Sequence, residues 1–262
     1  MSISGSGIEV ARPSNRHVKK TLPPTLSGFP GEAEIRYFLK ATVRRHAFWK
    51  ENTRSYAPFN FFPIEPPRSP STGNEIFARQ KHAFSPFLEA DAGKSKAKGI
   101  FGKSKEPSSP VVSSEAPHIT VDARLPDPAI LTCNDHTPLR IIVKKLNGCE
   151  AVMYLQSLQV SLNGTTKIRA HDVYRTESNS WVLMSKSNMN IPVGTASDPI
   201  NTETVIPDQL WRAQTLPNTV APSFETCNIS RQYELDVRIG LSYTGAQSIS
   251  KVRKGQIPRI VR

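Results

Sequence analysis

The sequence lacks any long apolar run. No stretch approaches the roughly 18 to 20 apolar residues that a membrane-spanning helix needs, and residues 1–20 lack the apolar middle of a secretory signal. Cysteine is also scarce. The three cysteines, Cys133, Cys149 and Cys227, are odd in number and widely spaced, which is typical of reduced thiols rather than of a disulfide framework. These absences predict a cytoplasmic protein.

Compact catalytic motifs are missing as well. The sequence has no G-x-x-x-x-G-K-[ST] phosphate loop, no G-x-S-x-G nucleophile turn and no H-E-x-x-H metal motif. Its six histidines are scattered, whereas a cysteine nucleophile needs a histidine beside it in a cleft. We therefore predict that the protein is not an enzyme and that it has no cofactor and no small-molecule substrate.

Positive charge is in excess, with a formal net charge of +12, and its position along the chain matters more than its size. Residues 1–20 hold four basic residues and one acidic residue, residues 91–106 five lysines and two acids, and residues 251–262 five basic residues and no acid. The remaining body is nearly neutral. This distribution predicts basic tails and a basic linker rather than a broad basic face, so it disfavours nucleic acid as a partner and allows weak contact with an anionic membrane.

Alternating apolar and polar residues predict strands in two parts of the chain. Residues 35–44 have the pattern of a half-buried strand. From Ile119 onward strand signals return at short intervals, as in a sandwich of antiparallel strands. A tight hairpin turn is predicted at Asn163-Gly164. The further predicted strands are residues 119–124, 139–145, 154–162, 165–170, 181–184 and 233–241.

An internal repeat links the two parts. Pro24-Thr25-Leu26, then Ile35 and Tyr37, has a counterpart in Pro222-Ser223-Phe224, then Ile229 and Tyr233. In both copies a proline-led turn precedes an alternating strand, which predicts two related sandwiches in tandem. Far more strand-bearing sequence precedes the second tyrosine than the first, so we expect the first sandwich to be incomplete and truncated.

These segments resemble the arrestin fold family, in particular the filamentous-fungal branch of the alpha-arrestins. LPPTLSGFPGEAEIRYFLKATVRRHAFW and FNFFPIEPP resemble the end of an arrestin N-terminal domain and the lead into its linker. ITVDARLPDPAILTCNDHTPLRIIVKKL and LPNTVAPSFETCNISRQYELDVRIGL resemble the C-terminal domain. The resemblance implies immunoglobulin-like sandwiches.

The expected fold class is therefore all-β, with one complete immunoglobulin-like β-sandwich plus strands from an incomplete first one. The predicted organisation is a disordered tail (1–20), a remnant of the N-terminal-like sandwich (21–63), a flexible Pro/Ser/Lys-rich linker (64–117), the C-terminal-like sandwich (118–246) and a basic tail (247–262).

The resemblance implies a non-enzymatic adaptor in endocytic trafficking or signalling, peripheral at the plasma membrane or endosomes, whose partners are membrane transporter or receptor cargo and a ubiquitin ligase. Alpha-arrestins recruit that ligase through Pro-Pro-x-Tyr, but Pro23-Pro24 is followed by Thr25-Leu26 and Pro66-Pro67 by Arg68-Ser69. The alternative is a β-sandwich nucleic-acid-binding protein that uses its basic tails, for which a steep loss of binding with salt is expected. A sandwich enzyme ranks last.

Two groups of residues have side chains suited to chemistry. Cys133, Asp135 and His136 have zinc-ligand types, but a structural zinc site needs four ligands. Cysteines that are buried or placed in turns, with a solvent-exposed histidine, are the simpler interpretation. Glu234 and Asp236 share one strand face and can act as an acid and base pair. Solvation is the role we expect for both, because alternation with a strongly apolar face explains them without chemistry.

The central linker contains the remaining candidates. A lysine cluster interleaved with glycine and serine is a candidate anionic-surface contact or nuclear address, against a plain solvated linker: Lys94, Lys96, Lys98, Lys103 and Lys105. Three serines precede proline and are candidate phosphorylation sites: Ser69, Ser85 and Ser109.

Overall fold

A computed structural model describes residues 21–28, 33–44, 51–64, 70–84, 116–243, 246–257 and 259–261, the last two ranges as backbone only. The described residues contain no α-helix, and none of their helical structure is long and apolar enough to cross a membrane. The elements are β1 (Tyr37–Val43), β2 (Thr53–Phe59), β3 (Glu75–Ala83), β4 (His118–Pro126), β5 (Ile130–Thr132), β6 (Arg140–Lys145), β7 (Met153–Ala170), β8 (Val173–Lys186), β9 (Ile191–Val193), β10 (Glu203–Val205), a 3-10 helix (Asp208–Leu210), β11 (Phe224–Glu225), β12 (Ile229–Tyr243), β13 (Ala246–Ile257) and β14 (Arg259–Val261).

Two antiparallel sheets enclose one apolar core. The first sheet has the strand order β10-β6-β4-β3. In the second sheet, one edge of β7 pairs with β8 and β9 and the other edge pairs with β12, whose far edge pairs with β11 and β13. A short parallel pair, β14 with β5, lies beside them in the fold. Buried side chains from both sheets form a single cluster, and this all-β sandwich confirms the predicted fold class.

The core is filled from alternate positions of the central strands. Side chains of a strand point to opposite faces in turn, so every second residue of β4 and β12 reaches the interior. The apolar alternation predicted at residues 119–124 and 233–241 is therefore confirmed as burial. The fully buried members of these two strands include Ile119, Val121, Ala123, Leu125, Tyr233, Leu235, Val237 and Ile239.

β1 and β2 form a two-stranded antiparallel ribbon. Their register runs from Tyr37 opposite Phe59 to Val43 opposite Thr53, which confirms the strand predicted at residues 35–44. The prediction that this strand is half-buried is wrong, since Leu39 is 68% exposed and Val43 is 61% exposed. Alternation reports which face a strand offers for burial, but burial itself requires a second layer.

β3 corrects the prediction that all of residues 64–117 form a flexible linker. Every residue of β3 pairs with β4. Ile76 and Ala78 pack against the core, and Phe84, which directly follows the strand, is buried. Polar residues occupy much of the rest of β3, because a strand at the margin of a sheet buries only part of one face. These polar residues obscure the alternation of apolar and polar residues by which a strand is predicted from sequence.

β13 corrects the prediction that residues 247–262 form a basic tail without a strand. The strand pairs antiparallel with β12 from Tyr243 opposite Ala246 to Tyr233 opposite Ile257. Pairing with the strongly patterned β12 supplies the backbone hydrogen bonds, and charged residues are common on strands near a sheet edge. Tertiary pairing therefore overrides the weak local pattern.

The hairpin predicted at Asn163-Gly164 is also wrong. β7 continues through both residues, and β8 follows only after Ala170. The chain reverses at His171, whose φ of 53° lies in the left-handed region. Gly164 is needed for a different reason, which is the close approach of three large side chains across the strand.

Candidate binding surfaces

Tyr37 and Tyr233 make the same hydrogen bond in their respective units. The Tyr233 hydroxyl donates to the carbonyl oxygen of Ala221 at 2.5 Å, and the Tyr37 hydroxyl donates to that of Pro23 at 2.6 Å. Each acceptor directly precedes the proline that opens the repeat. A tyrosine tied to an upstream carbonyl in this way closes a corner in many β-sandwiches. The internal repeat seen in the sequence is thus reproduced as a repeated contact.

Strand pairing beside each tyrosine sets the alignment of the two copies. Ile35, two residues before Tyr37, forms an antiparallel bridge with Leu26. Arg231, two residues before Tyr233, pairs with Phe224. The structural counterpart of Ile35 is therefore Arg231, and the predicted match of Ile35 with Ile229 is wrong by two positions.

A buried aromatic and cationic cluster surrounds the second corner. The Arg231 guanidinium lies 5.5 Å from the Trp181 ring centre and 5.1 Å from that of Tyr233. Arg231 also donates from Nε to the Tyr233 hydroxyl at 2.8 Å and from Nη1 to the Thr166 hydroxyl. Burial raises the pKa of Tyr233 above its ordinary value. These contacts lock the corner in place, so we assign the cluster a structural role.

Glycine is required at the base of this cluster. A Cβ atom on Gly164 would lie 2.7 Å from Arg231 Nη2, 2.8 Å from Tyr233 Cε1 and 3.0 Å from Trp181 Cζ3. Interior packing leaves no room for an added methyl group at such distances without displacing its neighbours. Gly164 therefore allows the three side chains to stack over β7.

β8 is a long strand with one open edge. It pairs with β7 along residues Leu158 to Ala170 of that strand, and no other strand in the described part of the chain pairs with it. Most of its side chains are exposed, among them Val173, Tyr174 and Val182. Unpaired backbone amides and carbonyls along such an edge can accept an extended segment of another chain.

The outer face of the first sheet carries a network of ion pairs. Asp122, which is buried, accepts hydrogen bonds from Arg79 Nε at 2.6 Å, Arg79 Nη2 at 2.7 Å and Arg124 Nη2 at 2.9 Å. Glu75 accepts a hydrogen bond from Arg140 at 3.0 Å. The Arg79 guanidinium is the main reason that the pKa of Asp122 lies below its ordinary value.

Phe77 lies on the same face and between two of these cations. Phe77 is 55% exposed, with the Arg79 guanidinium 5.2 Å and the Arg124 guanidinium 5.8 Å from its ring centre. An exposed aromatic ring flanked by arginines is a surface on which nucleic-acid bases stack. Both arginines already share the Asp122 carboxylate, however, and this lowers the net positive charge that they present.

Lys145 is a buried cation held by a loop. Its Nζ donates to the carbonyl oxygens of Ala196 and Asp198 at 3.0 and 2.9 Å. Asp198 in turn accepts a hydrogen bond from the Thr195 amide at 2.6 Å, and the hydrogen bonds from Thr195 lower the pKa of Asp198. Both charged groups are thus engaged within the loop, which fits an anchor rather than a reactive centre.

The candidate zinc ligands are spread over different environments. Cys133 is buried, and its Sγ lies 3.7 Å from the carbonyl oxygen of Val220. His136 is exposed, and its Nδ1 lies 2.9 Å from Oδ1 of Asp135. Cys149 is buried. Across the described residues, no group of three or more histidine, cysteine, aspartate or glutamate side chains is placed to hold a metal.

Glu234 and Asp236 differ in their surroundings. Glu234 is exposed, but Asp236 is buried and lies 3.6 Å from Arg238. The prediction that both residues are simply solvated is therefore wrong for Asp236. Gly240 and Ser242, further along the same face of β12, are also buried.

The candidates in the central segment lie outside the described residues. This applies to the candidate anionic-surface contacts and to the candidate phosphorylation sites alike. The residues concerned are Lys94, Lys96, Lys98, Lys103, Lys105, Ser69, Ser85 and Ser109.

Sequence reasoning missed the two surfaces that the structure brings forward. The first, centred on Asp122 and Phe77, depends on β3, a strand that has no clear sequence pattern. The second, the open edge of β8, is defined by backbone groups that have no residue signature. The strand predicted at residues 181–184 lies within β8, and it is the part of β8 that the sequence indicated.

A comparison with models of known protein families gives no match, and neither does a comparison with curated proteins. The resemblance to the alpha-arrestins therefore stays a prediction that depends on the quoted segments and on the repeat.

Proposed function

We propose that the protein is a non-enzymatic, protein-binding adaptor that accepts an extended segment of its partner as an additional strand on the open edge of β8. The observation that carries this proposal is the length and exposure of β8 beside a firmly packed β7. Main-chain hydrogen bonds along the edge supply affinity, and exposed side chains such as Val182 supply preference.

The resemblance to alpha-arrestins supplies the partner class. On this proposal the bound segments belong to the cytoplasmic parts of membrane transporters or receptors, and the adaptor works in endocytic trafficking or signalling at the cytoplasmic side of a membrane. Recruitment of a ubiquitin ligase would need a motif other than Pro-Pro-x-Tyr, because neither proline pair is followed by a tyrosine at the required position.

The test is selection from a display library of random twelve-residue peptides, followed by proline substitution in β8. Of two neighbouring strand residues, one directs its amide towards β7 and the other towards the open edge. Thr176→Pro and Glu177→Pro therefore form a matched pair. One of the two prolines replaces the residue whose amide points to the open edge, and this variant keeps all backbone hydrogen bonds between β8 and β7. It is recognised as the variant that keeps the thermal stability of the unaltered protein.

We expect the stable proline variant to bind the selected peptides at least about tenfold more weakly, which corresponds to about 1.4 kcal/mol. Ser178→Ala, a change on the same exposed strand that keeps the backbone amide, serves as the control and should bind normally. Equal binding of the selected peptides to the stable proline variant and to the unaltered protein would overturn the proposal.

Nucleic-acid binding is the second candidate, and the exposure of Phe77 between Arg79 and Arg124 favours it. Its test is the anisotropy of a labelled single-stranded oligonucleotide between about 50 and about 200 mM salt, where phosphate contacts give a steep loss of affinity. Phe77→Ala should then remove the stacking contribution, about 1–3 kcal/mol per base. Because Asp122 engages both arginines, we favour the adaptor.

A further inference from the structure

The β1–β2 ribbon corresponds to the β12–β13 hairpin of the larger unit. Tyr37 and Tyr233 make equivalent corner hydrogen bonds, and each begins the paired part of a hairpin. Tyr37 lies opposite Phe59 of β2, and Tyr233 lies opposite Ile257 of β13. The two hairpins thus share a corner and an antiparallel direction, although the β12–β13 pairing has a register shift between Glu234 and Leu235 that β1–β2 lacks.

The other edge of β12 shows what the ribbon lacks. In the larger unit that edge pairs with β7 over the whole length of β12. In the ribbon, the corresponding edge of β1 pairs with no strand in the described ranges. The side chains that face the core from β12 are buried, whereas their counterparts on β1, Leu39 and Val43, are mostly exposed.

We propose that the open edge of β1 binds an antiparallel strand of the β7 type, supplied by a partner chain. Such a strand would complete the backbone ladder of β1 and cover the apolar side chains of Leu39, Ala41 and Val43. The pairing of β7 with β12 within this chain is the template for that interface. This inference concerns a second edge and is independent of the proposed role of β8.

The template also defines the chemistry of the bound strand. Opposite Leu235, Val237 and Ile239, β7 places Leu162, Val160 and Leu158, all of them buried. The partner strand should therefore carry apolar residues at every second position.

Opposite the tyrosine the partner strand should carry glycine. Gly164 lies opposite Tyr233, and a Cβ atom there would come within 2.8 Å of the tyrosine ring. Tyr37 keeps the same corner hydrogen bond, and its ring is held by Phe61, with ring centres 4.8 Å apart. A side chain opposite Tyr37 would meet that fixed ring, so glycine is the residue that fits.

The experiment is hydrogen exchange of the full chain, read by mass spectrometry, with a synthetic peptide that copies residues 157–166, SLQVSLNGTT. In the template register its glycine falls opposite Tyr37. We expect slower exchange of the amides of residues 37–43 on peptide addition. A control peptide with Gly164→Val should protect them at least about tenfold more weakly, as a clash that costs 1.4 kcal/mol or more requires.

Four outcomes would overturn the proposal. They are no protection of residues 37–43, equal protection by the valine peptide, protection that is already complete without peptide, and protection that rises with protein concentration alone. The third would show that another part of this chain fills the edge, and the fourth that a second copy does. Protection confined to residues 173–186 would contradict strand addition on β1 and support strand addition on β8. The experiment therefore distinguishes the failure of one proposal from the failure of the other.

Discussion

Replacement of Gly164 by alanine tests whether this residue is a packing glycine within β7 or the turn that its sequence suggests. The added Cβ would lie 2.7, 2.8 and 3.0 Å from side-chain atoms of Arg231, Tyr233 and Trp181. Ordinary contacts of this kind are about 3.5–4.0 Å, so all three groups must move. Arg231 and Tyr233 are held by mutual hydrogen bonding at 2.8 Å, which resists that movement.

The magnitude follows from two opposing terms. Overpacking of a filled interior costs about 1–3 kcal/mol. Loss of glycine's freedom in the unfolded chain returns about 0.4–1 kcal/mol. We expect Gly164→Ala to lower the free energy of unfolding by about 1–2 kcal/mol, or about 2–8 °C in melting temperature for a protein of this size.

The assay is urea unfolding followed by tryptophan fluorescence, with two matched variants. Gly148→Ala is the control, because a Cβ there meets nothing within 4 Å and its stability should be unchanged or slightly higher. Asn163→Thr separates strand from turn, since threonine suits a strand but not the left-handed φ of an Asn-Gly hairpin turn. A Gly164→Ala protein as stable as the unaltered one, or a strongly destabilised Asn163→Thr protein, would refute the packing argument.

Three further predictions concern the corner, the ion-pair network and β3. Tyr233→Phe should cost about 2–3 kcal/mol, because it removes both the buried hydrogen bond that Arg231 Nε donates and the part-buried one that Ala221 accepts. Tyr37→Phe, on a half-buried ring, should cost about 1 kcal/mol or less. Chemical denaturation measures both free energies of unfolding, and equal costs would contradict the assignment. The lowered pKa of Asp122 means that its ionised form stabilises the fold above the unfolded pKa of about 3.9 and loses this effect as pH falls. Asp122→Asn should therefore lower the melting temperature at pH 7 and differ progressively less from the unaltered protein below about pH 4; a pH-independent difference would count against the ion pairs. Phe84→Ala should lower the free energy of unfolding by about 3–5 kcal/mol if the segment after β3 belongs to the core. Phe62→Ala, at an exposed residue, should lower it far less. Calorimetry measures both losses, and a larger loss for Phe62→Ala would contradict the prediction.

The parts of the fold that could be predicted from the sequence are those with strong and regular burial. In β12, every second residue from Tyr233 onward is apolar and buried, so the period of two is unbroken. The corner tyrosines could be paired from the sequence because each copy needs a proline that opens the turn and a tyrosine that donates the corner hydrogen bond. The match of Ile35 with Ile229 failed because it used apolar likeness, whereas strand register places Arg231 at that position.

The strands that could not be predicted are those whose partner, rather than whose own sequence, decides their structure. β3 and β13 lie beside β4 and β12, which supply their backbone hydrogen-bond partners. A charged strand can complete a sheet because only its backbone must match. The hairpin turn predicted at Asn163-Gly164 failed for a related reason. An Asn-Gly pair favours a turn, but here the glycine is required by the side chains of neighbouring strands that pack against it.

Binding surfaces were harder to predict than the fold, because the two surfaces proposed for strand addition, on β8 and on β1, consist of backbone groups on open edges. An edge is open only when no other strand takes it, and that is a property of the whole topology rather than of any motif. The Asp122 network shows the same dependence, since Arg79 reaches the carboxylate only after β3 has paired with β4.

The two open edges impose different rules on a partner, and this difference allows discrimination. β8 presents a mostly polar, exposed surface, so strand addition there depends on main-chain hydrogen bonds and tolerates many sequences. The edge of β1 is more selective, because Tyr37 is fixed by its corner hydrogen bond at 2.6 Å and admits only glycine opposite its ring. Specificity arises from such exclusion as much as from attraction. A partner segment with alternating apolar residues and a correctly placed glycine should therefore prefer β1, and one without that glycine should be left to β8.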